Sequence, residues 1–137
     1  MKSFVTIILF QLCCNYLPAQ NLDNEKLAGT WALAVFKYTL PDTVISGDSK
    51  VFNSVKVMDK SYFAYVGKSL PDHVFKRAGA GRFELHGDTL IEVIDFSSIA
   101  NMLGKKFMYK CKIEGDTWYL SGQINDIYVE EIWKKLK

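Results

Sequence analysis

Cysteine, proline and charge of one sign are all scarce in this chain, and each shortage removes a class of explanation. Three cysteines (Cys13, Cys14, Cys111) and three prolines (Pro18, Pro41, Pro71) are spread over 137 residues. The first two cysteines fall in a leader that reads as removable, so Cys111 is left alone and an intramolecular disulfide is excluded. Stability must then come from an apolar core. The two histidines, His73 and His86, are isolated from one another, and no cysteine pair accompanies them, so no metal-ligand spacing and no metal site are expected. Seventeen basic side chains face 15 acidic ones, a formal net charge of +2. The lysines are scattered apart from Lys134, Lys135 and Lys137, which read as a solvated chain end, so a nucleic-acid partner is not expected.

No apolar run is long enough to span a membrane as a helix, which takes roughly 20 residues. What stands at the start is shorter. Lys2 supplies a positive charge, Phe4 to Leu12 an apolar stretch interrupted by Thr6 and Gln11, and Leu17-Pro18-Ala19 a small-residue end. That is the layout of a signal peptide, residues 1–19, cut after Ala19. Lipoprotein processing at Cys13 or Cys14 is a rival, but Phe10-Gln11-Leu12 lacks the small residues that lipid attachment uses. The reading implies a secreted or periplasmic protein. Removal of 1–19 takes away Lys2 and no acid, so residues 20–137 stay close to neutral and form one domain, without repeats or linkers.

The periodicity of that domain is of the strand kind. Gly87-Asp88, Gly115-Asp116 and Asn125-Asp126 each separate two strand-like runs, and these residue types tolerate the positive φ of tight hairpin turns. The flanking strands are 81–86 with 89–96, 106–114 with 117–122, and 117–124 with 127–135. Upstream, 30–40, 51–58 and 61–66 also read as strands, with Asp59-Lys60 turning between the last two. A long loop is expected over 67–80, marked by Pro71, Gly79 and Gly81. Residues 97–104 are the one candidate short helix, capped by Ser97 or Ser98 and stopped by Gly104. The fold class is therefore all-β, with eight antiparallel strands closing an up-and-down barrel that removes exposed edges. An outer-membrane barrel is a poor fit, because Lys110 with Lys112, and Asp95 with Glu84, leave neither strand face apolar.

The motif Leu27-Ala28-Gly29-Thr30-Trp31 and the final Glu131-Ile132-Trp133-Lys134-Lys135 resemble the lipocalin-like (calycin) superfamily, in particular its small secreted bacterial members. The run Gly79 to Thr89, Glu92 and Gly115-Asp116-Thr117-Trp118 are similar to that group's middle section, so the likeness covers residues 20–137. The resemblance implies that Gly29 and Trp31 open the first strand and that a late basic residue lies over the tryptophan to seal the closed end. That position usually holds Arg; here it is Lys135, which has no planar guanidinium to stack. A small, largely apolar ligand inside the barrel is the function implied, with the 67–80 and 97–104 segments gating it.

Candidate ligand contacts follow from strand alternation. Phe63, Tyr65, Phe83, Tyr109 and Trp118 line a pocket or simply fill the barrel. Cys111 shares a face with Phe107, Tyr109 and Ile113 and reads as a small buried hydrophobe. Glu92 and Glu131 lie on the same alternation as apolar neighbours. If inward, they either pair with a lysine such as Lys37 or Lys56, or await a polar ligand group, because an unpaired buried carboxylate is costly. Adjacent Glu130 and Glu131 point to opposite faces and cannot act as an acid and base pair. Asp72-His73 is the best catalytic fragment, and it is slight, so no enzyme activity, catalytic residue or cofactor is expected. The competing function is a protein-interaction module with a packed barrel and no ligand. A monomer is expected in either case.

Overall fold

The computed structural model describes residues 23–137. The leader 1–19, its cut after Ala19, Cys13 and Cys14 lie outside the described residues. Nine strands are present: β1 Gly29–Thr39, β2 Val44–Asp48, β3 Phe52–Asp59, β4 Tyr62–Ser69, β5 Phe75–His86, β6 Thr89–Ser97, β7 Lys106–Glu114, β8 Thr117–Ile124 and β9 Ile127–Lys135. All neighbouring pairs are antiparallel, and β1 pairs with β9, which closes the sheet into a barrel. The ring has eight positions, because β2 and β3 occupy one of them in series. β2 pairs with Val35–Thr39 of β1, and β3 with Gly29–Ala32.

The hairpins form where short loops hold one residue at positive φ: Lys60 (50°), Gly87 (61°), Gly115 (57°) and Asn125 (54°). Glycine suits Gly115 because it has no Cβ to resist that conformation. Side chains then alternate between core and solvent along each strand. On β7, Phe107, Tyr109 and Cys111 are buried while their neighbours are exposed. Trp31, Leu33, Phe63, Phe83, Leu90, Ile94, Trp118 and Trp133 are other buried members of a single core.

Three expectations need correction. Residues 97–104 are not helical: Asn101 (φ 66°) and Gly104 (φ 76°) adopt left-handed conformations that interrupt a right-handed helix, and the segment runs as turns. The short helix, α1, is instead Asn24–Leu27, where the Asp23 side chain accepts a hydrogen bond from Glu25 N at 3.2 Å. Nor is 67–80 a loop. β4 continues to Ser69 and β5 starts at Phe75. Gly79 and Gly81 mark close approach rather than turning: a Cβ at Gly79 would stand 2.7 Å from the Tyr65 ring, and at Gly81 1.9 Å from the Val93 carbonyl oxygen. The third is β2, a strand in a stretch where none was expected.

Among the described residues, no helix is long and apolar enough to cross a membrane. The contact at Gly81, beside the bulge between Ala80 and Gly81, involves backbone that cannot swing aside. Gly81→Ala is expected to destabilise the barrel by about 1–3 kcal/mol, the usual range for overpacking. Urea unfolding at constant m-value measures it.

Candidate functional site

The closed end is built first by β1. The Trp31 indole N–H donates to the Leu27 carbonyl at 2.8 Å, so α1 is tied across the barrel floor. Trp31 packs edge-on against Trp118 at 5.4 Å, and Trp118 lies 5.9 Å from Trp133. Lys135 Nζ stands 5.2 Å from the Trp31 ring centre, within reach of cation–π attraction. Gly29 leaves room for that lysine, since a Cβ there would stand 2.7 Å from Lys135 Cε. The ammonium thus covers Trp31 without the stacked plane that a guanidinium would give.

Above this floor a charge is buried. Lys56 on β3 is 5% exposed and Glu92 on β6 is 2% exposed, and they meet at 2.8 Å. Four rings surround the ammonium, those of Phe63, Trp118, Trp133 and Tyr65, at 5.3 to 5.9 Å. Hydrogen bonding to Glu92 and the aromatic faces offset the desolvation of the ammonium, which would otherwise exclude it from the core.

Higher still, β1, β5 and β9 bring a second polar group together. The Tyr38 hydroxyl donates to Glu131 Oε1 at 2.7 Å, and the Trp133 indole N–H donates to Glu131 Oε2 at 3.0 Å. Arg77 Nη2 donates to the Tyr38 hydroxyl oxygen at 3.2 Å and lies 3.7 Å from Glu131 Oε1. Its guanidinium rests on the Phe52 ring at 4.9 Å. Burial, reinforced by the Glu131 charge, pushes the Tyr38 phenol well above its ordinary value, so it remains a donor. Burial works against the Arg77 charge, but Tyr38 and Glu131 outweigh it and hold the guanidinium protonated. One donor is unspent: Arg77 Nε is buried without a hydrogen-bond partner. Leaving a buried donor unmet costs about 1–3 kcal/mol.

Between these two polar groups lies a cavity of about 240 Å³. Tyr65, Ile94, Tyr109, Leu120 and Val129 form much of its apolar wall, and Ile99, Ala100 and Met102 from the 98–104 turns reach its upper side. Glu92, Lys56, Arg77, Tyr38 and Glu131 supply its charged and phenolic groups.

Of the ligand contacts expected from the sequence, Tyr65, Glu92, Tyr109 and Glu131 are on this wall. Phe63, Phe83 and Trp118 are not: they face inward but lie in the packed core. Alternation gives the face of a side chain and says nothing of its depth in the barrel. Lys37 also differs from expectation. A bulge between Leu33 and Val35 reverses the alternation of β1, turning Lys37 outward to meet Glu130 at 3.0 Å and Tyr38 inward. Tyr38 and Arg77 were therefore missed. The inward series Arg77, Gly79, Gly81, Phe83 does have period two, but its glycines conceal it.

Cys111 is buried and accepts a hydrogen bond from the Trp118 indole at 3.0 Å; burial pushes its thiol up to about 11. Asp72 sits in an exposed turn, accepting from the Ser69 hydroxyl at 2.5 Å, away from the cavity wall. Among the described residues, no three His, Cys, Asp or Glu side chains group as a metal site.

The barrel aligns with that of a lipocalin-like protein from Bacteroides uniformis at a TM-score of 0.53 and 19% identity, covering 81% of this chain and 99% of that one. The fold is lipocalin-like. An uncharacterized protein from Bacteroides eggerthii aligns with the lipocalin-like barrel at a TM-score of 0.50 and 15% identity, covering 80% of this chain and 98% of that one. No protein-family model and no curated protein sequence matches the chain.

The Lys56–Glu92 pair yields a direct test. Lys56→Met strands a buried carboxylate and is expected to destabilise the lipocalin-like barrel by about 3–5 kcal/mol. The double variant Lys56→Met with Glu92→Leu removes both charges and is expected to recover most of that loss. Urea unfolding of the two variants checks the order.

Proposed function

We propose that this lipocalin-like protein is exported and carries a small, largely apolar molecule in its barrel, without transforming it. The observation that carries this reading is the cavity itself: about 240 Å³ bounded mainly by aromatic and aliphatic side chains, with a few convergent polar groups. A dry cavity of about 150 Å³ accepts benzene. The larger space here suits a molecule of roughly ten non-hydrogen atoms on the same scale. The turns at 98–104, with Ile99 and Met102 against the cavity, are the part of the wall best placed to open. Support for export comes from the leader 1–19, whose charged start, apolar run and Ala19 end have the signal-peptide layout.

The alternative, a ligand-free interaction module, calls for a filled barrel, and the open space above Lys56 and Glu92 disfavours it. The binding reading also accounts for residues that a packed core would not need. Apolar side chains would fill the place of Arg77 and Tyr38 without the cost of dehydrating a guanidinium.

Native mass spectrometry of the protein purified from its source, without denaturation, tests the proposal. The expected result is a co-purified small molecule that dissociates on unfolding. Val129→Phe places an aromatic ring in the cavity and is expected to weaken binding of that molecule at least tenfold, with the fold retained. A bare polypeptide mass, together with no binding of small apolar probes by titration, contradicts the reading.

A further inference from the structure

We propose that the ligand's polar end is a carboxylate and that Arg77 is the residue that holds it. This rests on the binding function proposed above and adds the chemical class of the bound molecule.

Of the two cations on the cavity wall, one has a close partner of opposite charge and the other does not. Lys56 is committed: its charge is paired with Glu92 at 2.8 Å and sits in the cage of Phe63, Tyr65, Trp118 and Trp133 rings. A cationic ligand therefore finds the aromatic cage already filled by the protein's own cation. Glu131 has both oxygens engaged, one by Tyr38 and one by Trp133. Arg77 is different. A guanidinium carries five N–H donors, yet its Nε has no partner, and the nearest carboxylate oxygen, on Glu131, stands 3.7 Å from Nη2, too far for a hydrogen bond.

Arg77 therefore lines the cavity as a half-buried cation whose nearest anion is held by other donors. Rotation of the guanidinium toward the cavity brings two parallel N–H groups to an incoming planar oxyanion, the fork geometry that favours Arg over Lys. The Tyr38 hydroxyl, between Arg77 and Glu131, stays protonated and separates the ligand's charge from that of Glu131. The rings of Phe52, Tyr38 and Tyr65 around the guanidinium, at 4.9, 5.9 and 5.9 Å, limit its other movements. The remaining wall, Ile94, Leu120 and Val129 with Tyr109, takes the apolar body.

Isothermal titration with 3-phenylpropanoate and its neutral isostere 3-phenylpropanamide reads this directly. The native protein is expected to bind the acid at least tenfold more tightly than the amide. In Arg77→Met the acid is expected to fall to the affinity of the amide, while amide binding persists and shows that the barrel is intact. Arg77→Lys, which keeps the charge and loses the fork, is expected to lie between. Equal binding of acid and amide by the native protein overturns the assignment, even if Arg77→Met fails to fold. So does acid preference that survives Arg77→Met. If amide binds and acid does not gain, only the carboxylate assignment falls; if neither probe binds, the binding function falls with it.

Discussion

Closure by β1 is the constraint on which the rest depends. Its first half pairs with β3, its second half with β2, and its other edge with β9, so one strand seals the ring. Once sealed, the barrel separates an inside from water, and an inward polar group finds its partners there or, like Arg77 Nε, goes without one. Lys56, Glu92, Glu131, Tyr38 and Arg77 are all placed by strands that turn their faces inward. Their arrangement follows from that shared confinement.

The interior is consequently layered. Three tryptophans and Lys135 close one end, where Trp31 is bonded to α1 through Leu27. A caged ion pair, Lys56 with Glu92, forms the middle. Above it the space widens into the cavity, bounded by the Tyr38, Glu131 and Arg77 group. Packing alone explains the first layer, since large buried aromatics contribute apolar area and need only one hydrogen bond each. The two charged layers are harder to justify on stability, because well-packed hydrophobic replacements of buried ion pairs are often neutral or better. Their presence beside an open space fits the binding function proposed above.

Much of the barrel was legible because local chemistry and tertiary structure agree in the second half of the chain. Gly87, Gly115 and Asn125 sit at the positive φ that their turns require, and the strands between them alternate cleanly. Alternation put Glu92 on the same face as Leu90 and Ile94, and named Lys56 as one possible partner if that face was inward. The illegible parts share a different cause. The bulge in β1 reversed the faces of Lys37 and Tyr38, the glycines of β5 accommodate neighbouring atoms rather than a turn, and the turn at 98–104 contains left-handed residues that sequence pattern does not reveal. Depth along the barrel was equally hidden, which is why Phe63, Phe83 and Trp118 were grouped with Tyr65 and Tyr109.

The upper barrel is hollow, with a wall that is largely apolar. Diffraction from crystals held under xenon tests this, because xenon settles in open space against apolar side chains. A xenon site among Ile94, Tyr109, Leu120 and Val129 is the expected result. An interior without xenon, in which Met102 and Tyr109 pack together across the same space, would contradict it.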